Sequence, residues 1–301
     1  SWNIPGAIGK LRRFIRKGRW NLVHSHLGRA DLVTSWAKPK NLPQVTTFHS
    51  VRRNFHPLTR WGYQLTDGLV AHRTGVSQAC LDSFYGVHGL KSPHSVIYNP
   101  VSLERITSNL TKTQARRVLG LGDGPVIVQV GRMIPVKGHS LTLHAFSQLV
   151  KKHPKAQLIF VGSGPLEPSL REESEFLGIV GKIVWTGFIS PSEVYPAADM
   201  VVFPSLWEGL GLVPIEAMML GIPVVASDIP AVREYIEHEK QGLLFPPGDS
   251  FLLAQAMEES LTGQGKAERI DSGKKRALAM FSAALIAEQY LSLYSRIGGA
   301  V

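Results

Sequence analysis

Apolar residues at Ile4, Ile8, Leu11 and Ile15, with Ala7 and Phe14 beside them, recur at helical spacing, so Ile4–Arg19 is expected to form an amphipathic helix. Its other face is basic: Lys10, Arg12, Arg13, Arg16, Lys17 and Arg19. Short apolar runs and helical patterns then alternate. Strands are expected at Asn21–His26, Gln44–His49, Gly68–His72 and His94–Tyr98, and helices at Arg29–Ala37, Pro57–Leu65 and Gln78–Tyr85. The polar stretch Thr107–Thr113 and the glycines of Gly120–Gly124 read as a linker.

A second alternation follows. Val126–Val130, Gln157–Val161, Lys182–Thr186, Met200–Pro204 and Pro223–Ala226 read as strands. His139–Lys151, Glu167–Leu177, Glu193–Ala197, Val213–Leu220, Ala231–His238 and Phe251–Leu261 read as helices, and Ala267–Ile297 as a helical end. This rhythm predicts an α/β protein of two parallel-sheet units, divided as 1–110 and 111–301. Two such units imply a ligand cleft where the carboxyl ends of their strands face each other.

The chain has 301 residues, 44% of them hydrophobic, enough for two real cores. No apolar run reaches the ~18 residues a membrane span needs, and no signal peptide is recognisable. Cys80 is the single cysteine, which excludes an internal disulfide and suits a cytoplasmic setting. Charge divides unevenly: residues 1–110 carry 15 Lys/Arg against 4 Asp/Glu, a balance of +11, and residues 111–301 carry 18 against 19, a balance of −1. The basic helix either covers a sheet or rests on an anionic membrane surface. Nucleic-acid binding through the basic third has no recognition motif behind it.

Chemistry concentrates after the strands of the second alternation. Gly131-Arg132-Met-Ile-Pro-Val-Lys137-Gly138 puts two cations on a strand-to-helix loop, as neutralising a diphosphate would require. Val161-Gly162-Ser-Gly164-Pro-Leu166 is a glycine turn after a strand, a weak signal taken alone. Trp185-Thr-Gly187-Phe188-Ile189 offers backbone groups and a ring to a flat base. In Ser205–Ala226, Gly209 and Gly211 open a helix between two carboxylates, Glu208 and Glu216. Among histidines, His24 and His26 share one face of a strand, so a metal pair is geometrically open, but a packed or hydrogen-bonded pair is the stronger reading. His49 stands at a strand end.

In order and spacing these motifs resemble family 4 of the glycosyltransferases, retaining enzymes of the GT-B fold that use nucleotide sugars. The resemblance implies two Rossmann-like domains facing a cleft. It implies that Arg132 and Lys137 neutralise the donor diphosphate and that Glu216 holds the ribose hydroxyls. Glu208 would sit near the transferred sugar, and the amides of Gly209, Leu210 and Gly211 would hold sugar hydroxyls and phosphate. Gly131, Gly162 and Gly164 would lie along the donor, and Phe188 and Ile189 at the base. No metal or cofactor is implied, the nucleotide sugar (a UDP-sugar favoured) being a substrate.

The first third resembles the family's acceptor-side domain through His24-Ser-His26, Thr46-Thr-Phe-His49, Gly75-Val-Ser77 and Asn99-Pro-Val101, with His49 reaching the sugar. Pro100 stands where the family has Gly, which stiffens that turn. The family begins with about three further strands and a glycine loop, so this domain is expected to be reduced to about four strands, by nature or by trimming. Its outer strand would be covered by the basic helix, and Ala283–Ile297 would fold back onto it. The expected activity is metal-independent transfer of a hexose to an acceptor hydroxyl, on a saccharide that is lipid-linked or anionic. The alternative is a nucleotide-sugar-binding module without transfer. The expected location is cytoplasmic, peripheral at the inner face of the membrane through the basic domain.

Overall fold

The computed structural model describes residues 3–88 and 90–298. The chain divides into two compact units, one of residues 1–100, 208–210 and 283–301, the other of residues 101–207 and 211–282.

The first unit runs α1 (Ile4–Lys17), β1 (Val23–His26), α2 (Gly28–Ala37), β2 (Gln44–Phe48), α3 (Pro57–Leu65), β3 (His72–Gly75), α4 (Gln78–His88) and β4 (His94–Val96). The strands form a parallel sheet in the order β1-β2-β3-β4, with Val23 opposite Gln44, Val45 opposite His72 and Arg73 opposite His94. All β2 residues are buried, because both faces of this sheet are covered. On one side Phe48 packs against Tyr63 of α3 and stacks on Phe84 of α4. On the other, Val45 and Ile97 meet Ile286 and Leu293 of a helix from the end of the chain.

The second unit holds α5 (Leu103–Ile106), α6 (Lys112–Val118), β5 (Val126–Val130), α7 (His139–Lys152), β6 (Gln157–Val161), α8 (Glu167–Phe176), β7 (Ile183–Gly187), α9 (Pro191–Val194), β8 (Met200–Phe203), α10 (Leu212–Leu220), β9 (Val224–Ser227), α11 (Pro230–Arg233), β10 (Leu243–Phe245), α12 (Ser250–Thr262) and α13 (Lys266–Phe281). Its six-stranded parallel sheet has the order β10-β9-β8-β5-β6-β7. The direction of winding reverses between β5 and β8, so the crevice above those two strand ends is where such sheets take ligands. Apolar side chains of β5, β6 and β8 fill the core against α7 and α12. The chain then closes with α14 (Ala283–Gly298), the helix that packs on the first sheet.

Several expected elements are corrected. The strand expected at Gly68–His72 lies at His72–Gly75, after a 3-10 turn at Asp67–Leu69. That strand is polar yet wholly buried: Arg73 donates to Asp67 and Ser92 at 3.3 and 3.0 Å and to Thr46 at 3.3 Å. An apolar pattern could not reveal it. The helix expected at Ala231–His238 is instead the short α-helix Pro230–Arg233, and the chain turns through Glu239 (φ +65°) into β10, a three-residue strand. Ala267–Ile297 is two helices, broken at the extended Ser282, which bridges to Val101. The units divide after Pro100 rather than at 110/111. The helix α6 begins inside the expected linker at a Thr111 capping box, and Lys112 and Arg116 bind Asp199 of the second unit at 2.5 and 2.6 Å. The helix α1 packs on α2, where Arg12 donates to the carbonyls of Trp36 and Ala37.

Candidate functional site

In the second unit the loops leaving β5, β6, β7 and β8 are laced together through their backbones. The amide of Gly131 donates to Val161 O, Met133 to Ser163 O, Gly162 to Gly187 O and Leu206 to Val136 O, at 2.8–3.0 Å. Glycine is required where these loops touch. A Cβ on Gly162, whose φ is +123°, would lie 2.3 Å from Gly131 O, and one on Gly164 would lie 2.4 Å from Met133 O. The Gly-x-Gly turn thus has a packing role: it lets one strand-end loop rest on the next.

That lacing presents the two cations. Arg132 is exposed on the β5 loop. The loop returns through a 3-10 turn, Pro135–Lys137, held where Gln129 Nε2 donates to Lys137 O at 2.8 Å. The Lys137 side chain runs past Gly131, where an added Cβ would stand 3.7 Å from its Cδ, and its ammonium lies 5.5 Å from the centre of the Phe203 ring. His139, the first residue of α7, is buried. Burial, with Lys137 nearby, lowers its pKa to about 4, so it adds no charge at neutral pH.

Glu216 sits in the second turn of α10, half-buried, and its Oε2 accepts a 2.5 Å hydrogen bond from Tyr195. Burial raises the Glu216 pKa above the usual carboxylate range, and the Tyr195 bond opposes that rise. Burial and the neighbouring carboxylate push the Tyr195 hydroxyl upward, so it remains a donor. Among the described residues nothing donates to Glu216 Oε1, which leaves an acceptor held in a fixed position. The Tyr195 contribution was not legible in the sequence, where Tyr195 is one apolar position in a short helix. Gly211, at φ +87°, precedes α10 and fits against Phe203, and its carbonyl accepts from Tyr235. Phe188 is 85% exposed beyond β7, with Ile189 half-buried after it.

In the first unit, His24 and His26 do share one face of β1, their ring centres 4.2 Å apart. His24 is hydrogen-bonded on both nitrogens, Nδ1 to Tyr294 at 2.5 Å and Nε2 to Thr47 at 2.7 Å. Burial first, then the neighbouring His26 and His49, lowers its pKa to about 3. It is therefore a neutral bracket between β1, β2 and α14. His26 Nδ1 meets Nε2 of His49, just beyond β2, at 2.8 Å, so one ring donates and the other accepts through an unprotonated nitrogen. No group of three His, Cys, Asp or Glu among the described residues is arranged to hold a metal ion. Glu208, Gly209 and Leu210 group with this unit. Ser77 Oγ donates to Gly209 O, and a Cβ on Gly209 would lie 2.4 Å from His49 O. Glu208 is half-buried beside them.

Residues 111–277, more than half of the chain, match the family described as glycosyl transferases group 1. The chain belongs to that family. Residues 1–105 match the family described as Glycosyltransferase Family 4. Among relatives, an uncharacterized glycosyltransferase of Methanocaldococcus jannaschii is 32% identical over 66% of this chain and 53% of its own length. The alpha-D-kanosaminyltransferase of Streptomyces kanamyceticus is 31% identical over 62% of this chain and 50% of its own. The chain thus spans about half the length of these two relatives. The lipopolysaccharide core biosynthesis mannosyltransferase of Rhizobium meliloti is 30% identical over 73% of this chain and 70% of its own. Among solved structures, Anabaena HepE in complex with UDP superposes with a TM-score of 0.85 at 23% identity, covering 96% of this chain and 82% of that one. The expected fold class, α/β of the GT-B type, is the observed one. No helix among the described residues is long and apolar enough to cross a membrane.

Proposed function

We propose that this group 1 glycosyl transferase is a retaining, family 4 enzyme that moves a hexose from a UDP-sugar to an acceptor hydroxyl without a metal ion or cofactor. The observation that carries the reading is the β5 loop, which sets Arg132 and Lys137 at the winding reversal of the second sheet, with Glu216 of α10 and its partner Tyr195 in the same unit. Breaking a sugar–phosphate bond leaves an oxocarbenium-like sugar and a nucleoside diphosphate. Fixed positive charge where the diphosphate develops lowers that barrier. Glu216, held by Tyr195, accepts from the ribose hydroxyls, with Phe188 and Ile189 at the base. The glycine loop amides and Glu208 hold the sugar, and His49, oriented by His26, touches it or the acceptor.

Related proteins support the choice of donor and acceptor class. HepE has been solved with UDP and with UDP-glucose. A Mycobacterium leprae relative, 28% identical over 97% of this chain and 78% of its own length, is a phosphatidyl-myo-inositol mannosyltransferase. Together with the +11 balance of residues 1–110, this favours an anionic or lipid-linked saccharide acceptor at the inner face of a membrane, met by a peripheral protein. The test is a thermal-shift and hydrolysis screen with UDP-, GDP- and ADP-sugars. A shift with UDP-sugars that is lost in Glu216→Ala supports the reading, and no shift with any nucleotide sugar overturns it.

A further inference from the structure

The helix α3 leaves an apolar stripe uncovered. Thr59, Gly62 and Tyr63 face inward, and Tyr63 donates to the buried carboxylate of Asp31 on α2. The opposite positions, spaced three and four apart, are Leu58, Trp61 and Leu65, which are 70%, 59% and 53% exposed. A soluble helix ordinarily carries polar residues there. Three large apolar groups in line on the outer face of one helix call for a partner.

The charge around the stripe identifies the partner. Residues 1–66 contain twelve Lys and Arg and a single acidic residue, Asp31. Asp31 is 1% exposed. The surface contributed by α1, α2, α3 and their connections therefore bears no carboxylate. The helices α1 and α2 pack together, as do α2 and α3, so the basic helix and the apolar stripe belong to one layer over the sheet. Arg60 braces the turn into α3 by donating to the carbonyls of Phe55 and Arg53 at 2.7 and 3.0 Å, which holds the basic Arg52-Arg53 segment beside the start of the stripe. A cationic surface without apolar groups would suit any polyanion. An apolar stripe carrying a tryptophan and flanked by cations suits an interface where hydrocarbon lies under anionic headgroups.

We infer that α3 is the insertion element of a docking face for an anionic lipid bilayer: Leu58, Trp61 and Leu65 enter the headgroup–acyl boundary while the surrounding Lys and Arg rest on the lipid charge. This sharpens the membrane part of the proposed function. It requires no sugar transfer, and its test uses neither donor nor acceptor, so it stands or falls separately from the enzymatic reading.

The experiment is flotation of the whole chain with vesicles of phosphatidylcholine alone and of phosphatidylcholine mixed with phosphatidylglycerol. The expected result is retention by the mixed vesicles that declines with salt, and about a tenfold loss of partitioning in Trp61→Ser and in Leu58→Ser, with unchanged melting temperature because both positions are exposed. Acyl-brominated phosphatidylglycerol should quench the protein's fluorescence strongly in the wild type and weakly in Trp61→Phe. Equal partitioning of the wild type and both serine variants overturns the insertion. Equal retention by neutral vesicles overturns the charge argument. Retention on duplex DNA at the same salt, with no flotation, overturns the choice of a lipid surface.

Discussion

Replacing Tyr195 with Phe keeps the ring and removes one hydroxyl, the group that donates to Glu216 at 2.5 Å. Tyr195 is 1% exposed, so no water replaces the lost donor without rearrangement. A hydrogen bond to a charged group contributes about 1.5–3 kcal/mol, and at neutral pH the loss should approach that range. For a protein of this size each kcal/mol moves the melting temperature by about 2–4 °C, so Tyr195→Phe should melt about 3–12 °C lower at pH 8.

The pH dependence gives the sharper test. Burial holds the Glu216 pKa in the folded protein above its unfolded value. The folded state therefore binds this proton more tightly, and the group's contribution to stability is fully present below the unfolded pKa and lost as pH rises through the folded one. Removing Tyr195 raises the folded pKa further, so the deficit of the variant should grow between pH 5 and pH 8. Differential scanning calorimetry of both proteins across that range measures it, and UDP affinity should weaken in parallel at the higher pH. A deficit of equal size at pH 5 and pH 8, or none at either, would refute the assignment of the hydroxyl to an ionised Glu216.

Three further outcomes follow from the same geometry. Gly162→Ala should cost about 2–4 kcal/mol in urea unfolding, since its Cβ meets Gly131 O at 2.3 Å; Gly178→Ala, also at positive φ but in open space, should cost only about 1 kcal/mol. Arg132→Ala should lower kcat for sugar transfer or donor hydrolysis by about 30- to 1,000-fold while leaving the melting temperature unchanged, because the side chain is exposed; full activity would remove Arg132 from the chemistry. Burial lowers His24 to about 3 and His72 and His139 to about 4. The unfolded chain thus takes up these protons first, and stability should fall as pH drops from above 6.5 toward 4, with a shallower decline in His139→Gln on a melting curve series.

The second unit was legible in the sequence because its strands are buried runs of apolar residues and its chemistry sits on short strand-to-helix loops. Val126–Val130 and Gln157–Val161 were expected to the residue. The polar strand His72–Gly75 was not, because its burial depends on partners supplied by Asp67, Ser92 and Thr46. Likewise Ala267–Ile297 has one continuous helical pattern, and only the bridge between Ser282 and Val101 shows where one helix ends and the next leaves for the first sheet.

The candidate site divides the same way. Residue types and spacing alone nominated Arg132, Lys137, Glu208, Glu216 and His49, since charge, glycine and strand ends are written locally. What Glu216 can accept, which hydroxyl holds it, how His26 meets His49, and why Gly162 must be glycine depend on residues distant in the chain brought within about 3 Å, the distance at which a hydrogen bond or a steric clash is decided. Periodicity specifies which face of an element is apolar, but it does not say which partner covers that face. For the inner face of α3 the fold supplied Tyr63 and the buried Asp31; Leu58, Trp61 and Leu65 it left more than half exposed.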